Sequence, residues 1–379
     1  SRTLLLAKNY PSYRDRYKHA FVHRRAMEYD RCGASVDVFR IGSAQLSFSE
    51  HEGVSITEGQ FEHLRAALAS GNYRNILAHV LTEQAWEVLQ TYISHTLIYV
   101  WAHGSEVQPW TRRPFEYRTD AERHRAAALS DRRMNFWKAL LKVPHPNLVM
   151  VFVSHHLAET MFEDLGFRLP DSQYRVIHNF IDDELFSYRE KSPEQRTKII
   201  SIRPYAGRVY ANDLTVQAIL ELSNREFFDE LEFRLIGDGV LFEDTVEPVR
   251  AFPNVKIQRG FLSQREIAEL HADYGVFLCP TRMDSQGVSR DEAMASGLVP
   301  VTNPVAAVPE FVDESCGLLV EPESALALAD AIERLYRDPA LFLRLSGAAA
   351  ARVREQSAFG TTIAREIELF DGSTERARA

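Results

Sequence analysis

Apolar runs recur along the chain as short unbroken blocks, at residues 3–7, 34–39, 95–101, 148–153, 199–203, 231–236, 254–258, 276–279, 298–302 and 317–320. Blocks of this length, bounded by polar and turn-forming residues, read as buried strands. Helical stretches lie between them: 16–32 closed by Gly33, a segment from 154 to about 165, 213–222, 264–273, 290–296 closed by Gly297, 323–337 and 339–355. Glycine just past the last periodic residue is the usual helix stop, because it takes the left-handed conformation without strain. Strand, loop, helix, strand makes a βαβ unit, and its repetition predicts parallel sheets flanked by helices. Residues 43–95 carry no clear period. The hydrophilic stretch YREKSPEQRTK at 188–198 reads as a linker. It separates a domain over 1–187 from a second over 199–358, and a last stretch, 359–379, completes the chain.

At 379 residues the chain is long for one core, so two domains are expected. A net charge of −9 excludes a general nucleic-acid binder. Cys32, Cys279 and Cys316 are far apart in sequence, without metal-ligand spacing or a disulfide framework. Together with the lack of a signal-peptide pattern or a membrane-spanning apolar run, they make a reducing cytoplasm the expected setting. Peripheral association with the inner face of the membrane is compatible with that setting. So is membership of a longer chain or a complex, since the sequence starts at Ser1. The Arg-rich segment 111–135 reads as a solvated helical face, with a basic surface for anionic lipid or a phosphorylated acceptor as the alternative.

The densest chemistry lies between the apolar blocks 276–279 and 298–302. Two carboxylates, Asp284 and Glu292, flank Ser285, Gln286, Gly287, Val288 and Ser289, whose backbone N–H groups precede a helix. A helix start presents unpaired donors and about half a positive charge, which suits a diphosphate. Carboxylates beside such donors suit a ligand rich in hydroxyls and phosphate, such as a sugar nucleotide. A structural reading stands beside this one: Ser289-x-x-Glu292 has the form of a capping box, and Asp284 that of a turn residue.

This segment resembles the donor-site motif of the retaining GT-B glycosyltransferases, the family 4-like glycosyl transferases group 1. Glu292-Ala293-Met294-Ala295, Gly297 and Gly287 stand as in that motif, with Val288 for its leucine. Asp284 replaces the motif's first glutamate and Ser285-Gln286 its Gly-Phe, while Leu298-Val299-Pro300 carries one residue more than its Gly-x-Pro. Arg203 and Arg208 take the spacing of the family's Arg and Lys, Gly237-Asp238-Gly239 resembles its Gly-x-Gly turn, and Gly260-Phe261 lies where the base is usually held. Asn179 and Asp182 match its Asn-Gly-Val-Asp segment, and His103-Gly104 its acceptor-side loop. Asn9-Tyr10-Pro11-Ser12-Tyr13-Arg14 stands where a Gly-Gly loop is usual. Tyr13 and Arg14 there could stack on a sugar or clamp a phosphate, or lie on a plain surface loop.

The resemblance implies an α/β chain of GT-B class: two Rossmann-like domains facing a cleft, with a terminal helix returning to the first. It implies transfer of a sugar from a nucleoside-diphosphate sugar, with UDP or GDP as the nucleotide, to a hydroxyl of a glycan or lipid-linked glycan, with retention, and a place in surface polysaccharide synthesis. Arg203 and Arg208 would hold the leaving diphosphate, Asp284 and His103 the sugar, and Glu292 the ribose. Gln286, Gly287, Val288, Ser289, Gly237 and Phe261 would complete the donor site, and Tyr13, Arg14 and Asn179 the acceptor side. No cofactor is expected. With no Asp-x-Asp in the chain, no metal bridging the diphosphate is expected either. Two alternatives are a non-catalytic sugar-nucleotide-binding module and a GT-B-fold nucleotide-sugar epimerase.

Overall fold

The computed structural model describes residues 2–16, 18–42 and 44–371. The chain forms two compact units, one built from Ser1–Arg112, Asp120–Phe180 and Phe359–Ala379, the other from Arg113–Thr119 and Ile181–Ala358.

The first unit holds strands β1 (Arg2–Ala7), β2 (Asp37–Ile41), β3 (Ser47–His51), β4 (Val54–Gly59), β5 (Tyr73–His79), β6 (Leu97–Ala102), β7 (Leu148–Phe152) and β8 (Tyr174–Val176). They form one sheet in the order β3-β4-β2-β1-β5-β6-β7-β8, parallel except for the hairpin β3–β4. Helices α1 (Ala20–Arg31), α2 (Phe61–Gly71), α3 (Glu83–Leu89), α4 (Asp120–Lys142) and α5 (His155–Leu165) connect them. The unbroken apolar blocks have a direct cause. Leu4, Leu6, Ile98 and Val100 enter the core on one face of the sheet, while Leu5, Ala7, Tyr99 and Trp101 enter the core on the other. A strand buried on both faces has no polar side to alternate with.

Within 43–95, the hairpin over 47–59 was illegible for the opposite reason. β3 is an edge strand, largely exposed, with Phe48 facing solvent, and β4 buries only two of its residues. Helix α1 begins at Ala20 rather than at 16, because His19 takes a left-handed conformation, φ 56°, that ends any earlier helix. The long helix α4 exposes most of its Arg-rich surface, as a solvated face should.

The second unit is also doubly wound. Its strands β9 (Lys198–Ile202), β10 (Glu232–Gly237), β11 (Val255–Arg259), β12 (Val276–Leu278), β13 (Val299–Thr302) and β14 (Leu318–Leu319) are all parallel, in the order β11-β10-β9-β12-β13-β14. They are joined and covered by α6 (Asn212–Leu222), α7 (Phe242–Val246), α8 (Gln264–Asp273), α9 (Val288–Ala295), α10 (Val308–Phe311), α11 (Ala325–Arg337) and α12 (Pro339–Ser357). Strand order reverses between β9 and β12, which makes their carboxyl ends the switch point of the sheet.

The chain then returns to the first unit. Helix α13 (Ile363–Asp371) places Glu366 in its core, where the carboxylate accepts from Arg25, Tyr29 and Trp101. The tail expected after this helix, 372–379, lies outside the described residues. Among the described residues no helix is long and apolar enough to cross a membrane.

The stretch read as a linker is packed onto the second unit. Ser192 and Gln195 form a capping box, Gln195 also donates to the Ala272 carbonyl, and the Lys191 ammonium is buried against the His271 carbonyl. Burial lowers the Lys191 pKa to about 8. Between that value and the 10.5 of a free lysine the unfolded chain binds more protons, so this residue's contribution to stability rises with pH across that window. The slope is at most about 1.4 kcal/mol per pH unit. In urea melts, any advantage of Lys191→Met over the native protein should therefore shrink from pH 8 to pH 10; an unchanged difference would rule this titration out.

Candidate functional site

The loops leaving β9 and β12 lie where a doubly wound sheet receives its ligand. Arg203, the first residue past β9, is only 6% exposed. Its guanidinium reaches Ser289 Oγ at 3.4 Å and lies over the Tyr210 ring at 5.3 Å. Among the described residues no carboxylate pairs with it, and its Nε is buried without a hydrogen-bond partner. Buried charges are ordinarily paired. This cation sits in the protein with its counter-charge missing.

Tight glycine turns let the Arg203 loop lie where it does. A Cβ on Gly237 would stand 1.9 Å from the Arg203 carbonyl oxygen, and one on Gly239 would stand 2.2 Å from the Tyr205 carbonyl carbon. Two backbone bonds, Tyr205 N–H to Asp238 O and Leu241 N–H to Tyr205 O, stitch the loops after β9 and β10 together. Further along, the N–H groups of Arg208 and Val209 donate to the Glu116 carboxylate at 3.2 and 3.0 Å. The Arg208 side chain is half-buried.

Arg282 ties the β12 loop to this one. Its N–H donates to Val209 O, and its guanidinium donates to Asp213, Glu323 and the Arg208 carbonyl, all within 3.0 Å. Hydrogen bonding to Asp213 raises the Arg282 pKa still further above its usual value. Burial opposes ionisation of Asp213, yet Arg282 prevails and lowers its pKa. Thr281 adds bonds to Val209 O and Met283 O.

Gly287, at φ 103°, is the residue on which the loop becomes α9, and a Cβ there would strike the Arg290 guanidinium at 2.6 Å. The helix thus starts at Val288, two residues earlier than expected. That decides the capping-box question: Ser289 lies inside the first turn, and no side chain caps α9. The N–H groups of Val288, Ser289 and Arg290 precede the first intrahelical bond, from Asp291 N–H to Gly287 O. Glu292 is buried and accepts from Gln264 Nε2 at 3.2 Å. Half-buried Asp284 accepts the Gln286 N–H at 3.3 Å.

The Gln286 side chain was expected to meet the donor, but its amide donates to Asp291 at 3.1 Å. Asp291 and Arg290 form an ion pair at 2.8 Å that is almost wholly buried, with Arg290 also bonded to Gln286 O and packed on Phe311. Burial pushes the Asp291 carboxyl above its usual range, against the pull of Arg290. Sequence reasoning missed this pair, and nothing in Arg-Asp-Glu marks which charge turns inward. Phe261, after Gly260 at φ 133°, is 53% exposed.

The first unit holds the other expected residues. His103 follows β6, and its Nε2 is hydrogen-bonded to His79 Nδ1 at 3.0 Å, with the Phe21 ring 4.4 Å away. Burial keeps its pKa well below the ordinary histidine value, so the ring is neutral. Asn179 is buried, and its Oδ1 accepts from Arg25 at 3.0 Å, as part of the Arg25–Glu366 network. The Tyr13 hydroxyl accepts the Glu52 N–H at 3.0 Å, while its ring lies 4.8 Å from His51. Arg14 is exposed. The structure thus gathers Arg203, Arg208, Asp284, Gly287, Val288, Ser289, Glu292 and Gly237 around one switch point. It ties Gln286, Asn179 and Tyr13 into local frameworks.

Residues 201–338, which include this whole loop system, match the family described as Glycosyl transferases group 1. The second unit carries a group 1 glycosyltransferase segment. Two curated proteins are related to this chain. Sulfoquinovosyl transferase SQD2 of Arabidopsis thaliana is 29% identical over 146 residues, 38% of this chain and 28% of that protein. N-acetyl-alpha-D-glucosaminyl L-malate synthase of Bacillus anthracis is 26% identical over 220 residues, 55% of each. The chain therefore spans about a quarter and about half of those two relatives. Its overall architecture is that of GT-B glycosyltransferase structures. Sucrose-phosphate synthase of Thermosynechococcus elongatus superposes with a TM-score of 0.73 at 16% identity, covering 98% of this chain and 99% of that one. Anabaena HepE in complex with UDP and glucose gives 0.70 at 14%, covering 98% and 100%.

Proposed function

We propose that the chain transfers a sugar from a nucleoside-diphosphate sugar to a hydroxyl of a glycan or lipid-linked glycan, with retention at the anomeric carbon and without a metal on the diphosphate. The observation that carries this reading is Arg203, a buried guanidinium without a counter-charge. It is hydrogen-bonded to the first turn of a helix whose leading N–H groups are not used within the helix. Cation and helix start together suit a diphosphate. As the glycosidic bond breaks, about two negative charges collect on the departing phosphates; Arg203, Arg208 and the Val288 and Ser289 amides would stabilise them. The acceptor proton would pass to a leaving phosphate oxygen as the new bond forms on the same face. Glu292 would hold the ribose hydroxyls, Asp284 the sugar hydroxyls, and Phe261 the base. UDP is the favoured nucleotide, since the Anabaena relative was solved with UDP-glucose and with UDP and glucose. A place in surface polysaccharide synthesis, on the cytoplasmic side of the membrane, belongs to this proposal.

The test is a calorimetric titration with UDP, GDP, ADP and CMP in metal-free buffer. One nucleoside diphosphate should bind, and Glu292→Ala should weaken it about tenfold or more, the loss of charge-assisted hydrogen bonds worth about 1.5–3 kcal/mol. No binding of any of the four would overturn the reading of Arg203 and the start of α9 as a nucleotide site.

A further inference from the structure

We propose that the first unit carries a transition-metal site, formed by His23, His51 and Glu52, that accepts zinc. The proposal is independent of the donor site and of the sugar-transfer reading. These residues offer ligand atoms that all lie within 4.8 Å of one another. His23 Nε2 and Glu52 Oε2 are 3.3 Å apart. Zinc bonded to nitrogen and oxygen at about 2.0–2.1 Å in a tetrahedron separates neighbouring ligands by roughly 3.3–3.4 Å. The His51 ligand atom lies within 4.8 Å of both.

Three further observations favour a ligand over a plain hydrogen-bonded cluster. First, His51 is buried, and its Nδ1 has no hydrogen-bond partner among the described residues. A buried imidazole nitrogen without a partner is costly, and a metal bond would satisfy it. Second, the other ring nitrogen of His23 is 2.8 Å from the Tyr10 hydroxyl. Metal-bound histidines are ordinarily fixed this way, by a hydrogen bond on the nitrogen away from the ion. Third, Glu52 and Gly53 are the two turn residues of the β3–β4 hairpin, at φ 47° and 85°, with His51 paired to Val54. Such a turn favours Asn-Gly or Asp-Gly, and a glutamate held at positive φ is strained. The Tyr13 hydroxyl supports that conformation by accepting the Glu52 N–H.

Two nitrogens and one carboxylate on three separate backbone positions make a zinc set with a fourth position for water. The metal would fasten the edge hairpin to α1. Both elements otherwise meet here through a pair of imidazoles, with ring centroids 4.7 Å apart, and one partly exposed carboxylate.

The experiment uses the full chain, tag-free and stripped with chelator, titrated with zinc chloride against a chromophoric chelator and followed in parallel by thermal unfolding. One equivalent of zinc should bind and raise the melting temperature. Cobalt should give the visible absorption of a four-coordinate nitrogen–oxygen site. His51→Ala should abolish this binding, and Glu52→Gln, at a half-exposed position that leaves the fold intact, should weaken it at least tenfold. Zinc affinity equal in the native protein and Glu52→Gln, or zinc bound without any thermal shift, would overturn the proposal and mark the cluster as a Tyr10–His23–Glu52 hydrogen-bond chain.

Discussion

Arg203→Met should lower sugar transfer by roughly 10²–10³-fold while leaving the ligand-free protein as stable as before, or more stable by on the order of 1 kcal/mol. Few substitutions of a buried charge carry both expectations. A buried arginine normally loses a partner when it is removed, and the orphaned carboxylate makes the variant unstable. Here, among the described residues, no carboxylate waits: the guanidinium bonds to Ser289 Oγ and lies on the Tyr210 ring face, and its Nε has no hydrogen-bond partner. Methionine fills much of the same volume without a charge to desolvate. The diphosphate, in contrast, would lose the cation that receives its developing charge. Transfer assays with the nucleotide sugar selected by calorimetry, run beside urea melts, separate the two effects. A stability loss above about 3 kcal/mol with nucleotide binding intact would make Arg203 a structural residue.

Asp291→Ala should behave in the opposite way, costing about 3–5 kcal/mol because it strands Arg290 in the interior. For a unit of this size that is a drop on the order of 10 °C in melting temperature. Arg290 would lose its ion-pair partner, and with it the brace that holds Gln286 and the Gly287 turn. Activity should fall with the fold, through displacement of the α9 start rather than loss of a ligand contact. The pair replaced together, Arg290→Met with Asp291→Leu, should recover most of the stability, since no charge is then left unpaired. A double variant as unstable as the single one would show that packing on Phe311, not charge, dominates here.

The sheets were legible because alternate residues of one strand enter two different cores, which writes an apolar block into the sequence. Leu4 and Leu5 are such neighbours. The hairpin β3–β4 has no second core to fill and left no such mark. At the site, what could be read was chemistry along the backbone: the glycine that turns, the amides that follow it, and the cation after β9. What could not be read was side-chain direction. Gln286 points at Asp291, Asn179 at Arg25 and Tyr13 at the hairpin, each set by a partner distant in sequence or by burial. The two readings of Glu292 turned on where α9 begins, and the left-handed conformation of Gly287 settles that through tertiary packing. The imidazole–carboxylate cluster was equally hidden, because His23 and Glu52 stand 29 positions apart, outside any ligand spacing.

The return of α13 to the first unit makes the order of synthesis matter. A ribosome delivers α1 before α13, with the whole second unit made in between. Until Glu366 arrives, Arg25 and the Tyr29 hydroxyl have a half-built interior, one wall of which has not yet been translated. The nascent first unit therefore waits, incomplete, while the second can already close around its own sheet. Helix α13 acts as the keystone of a unit whose other elements are made long before it.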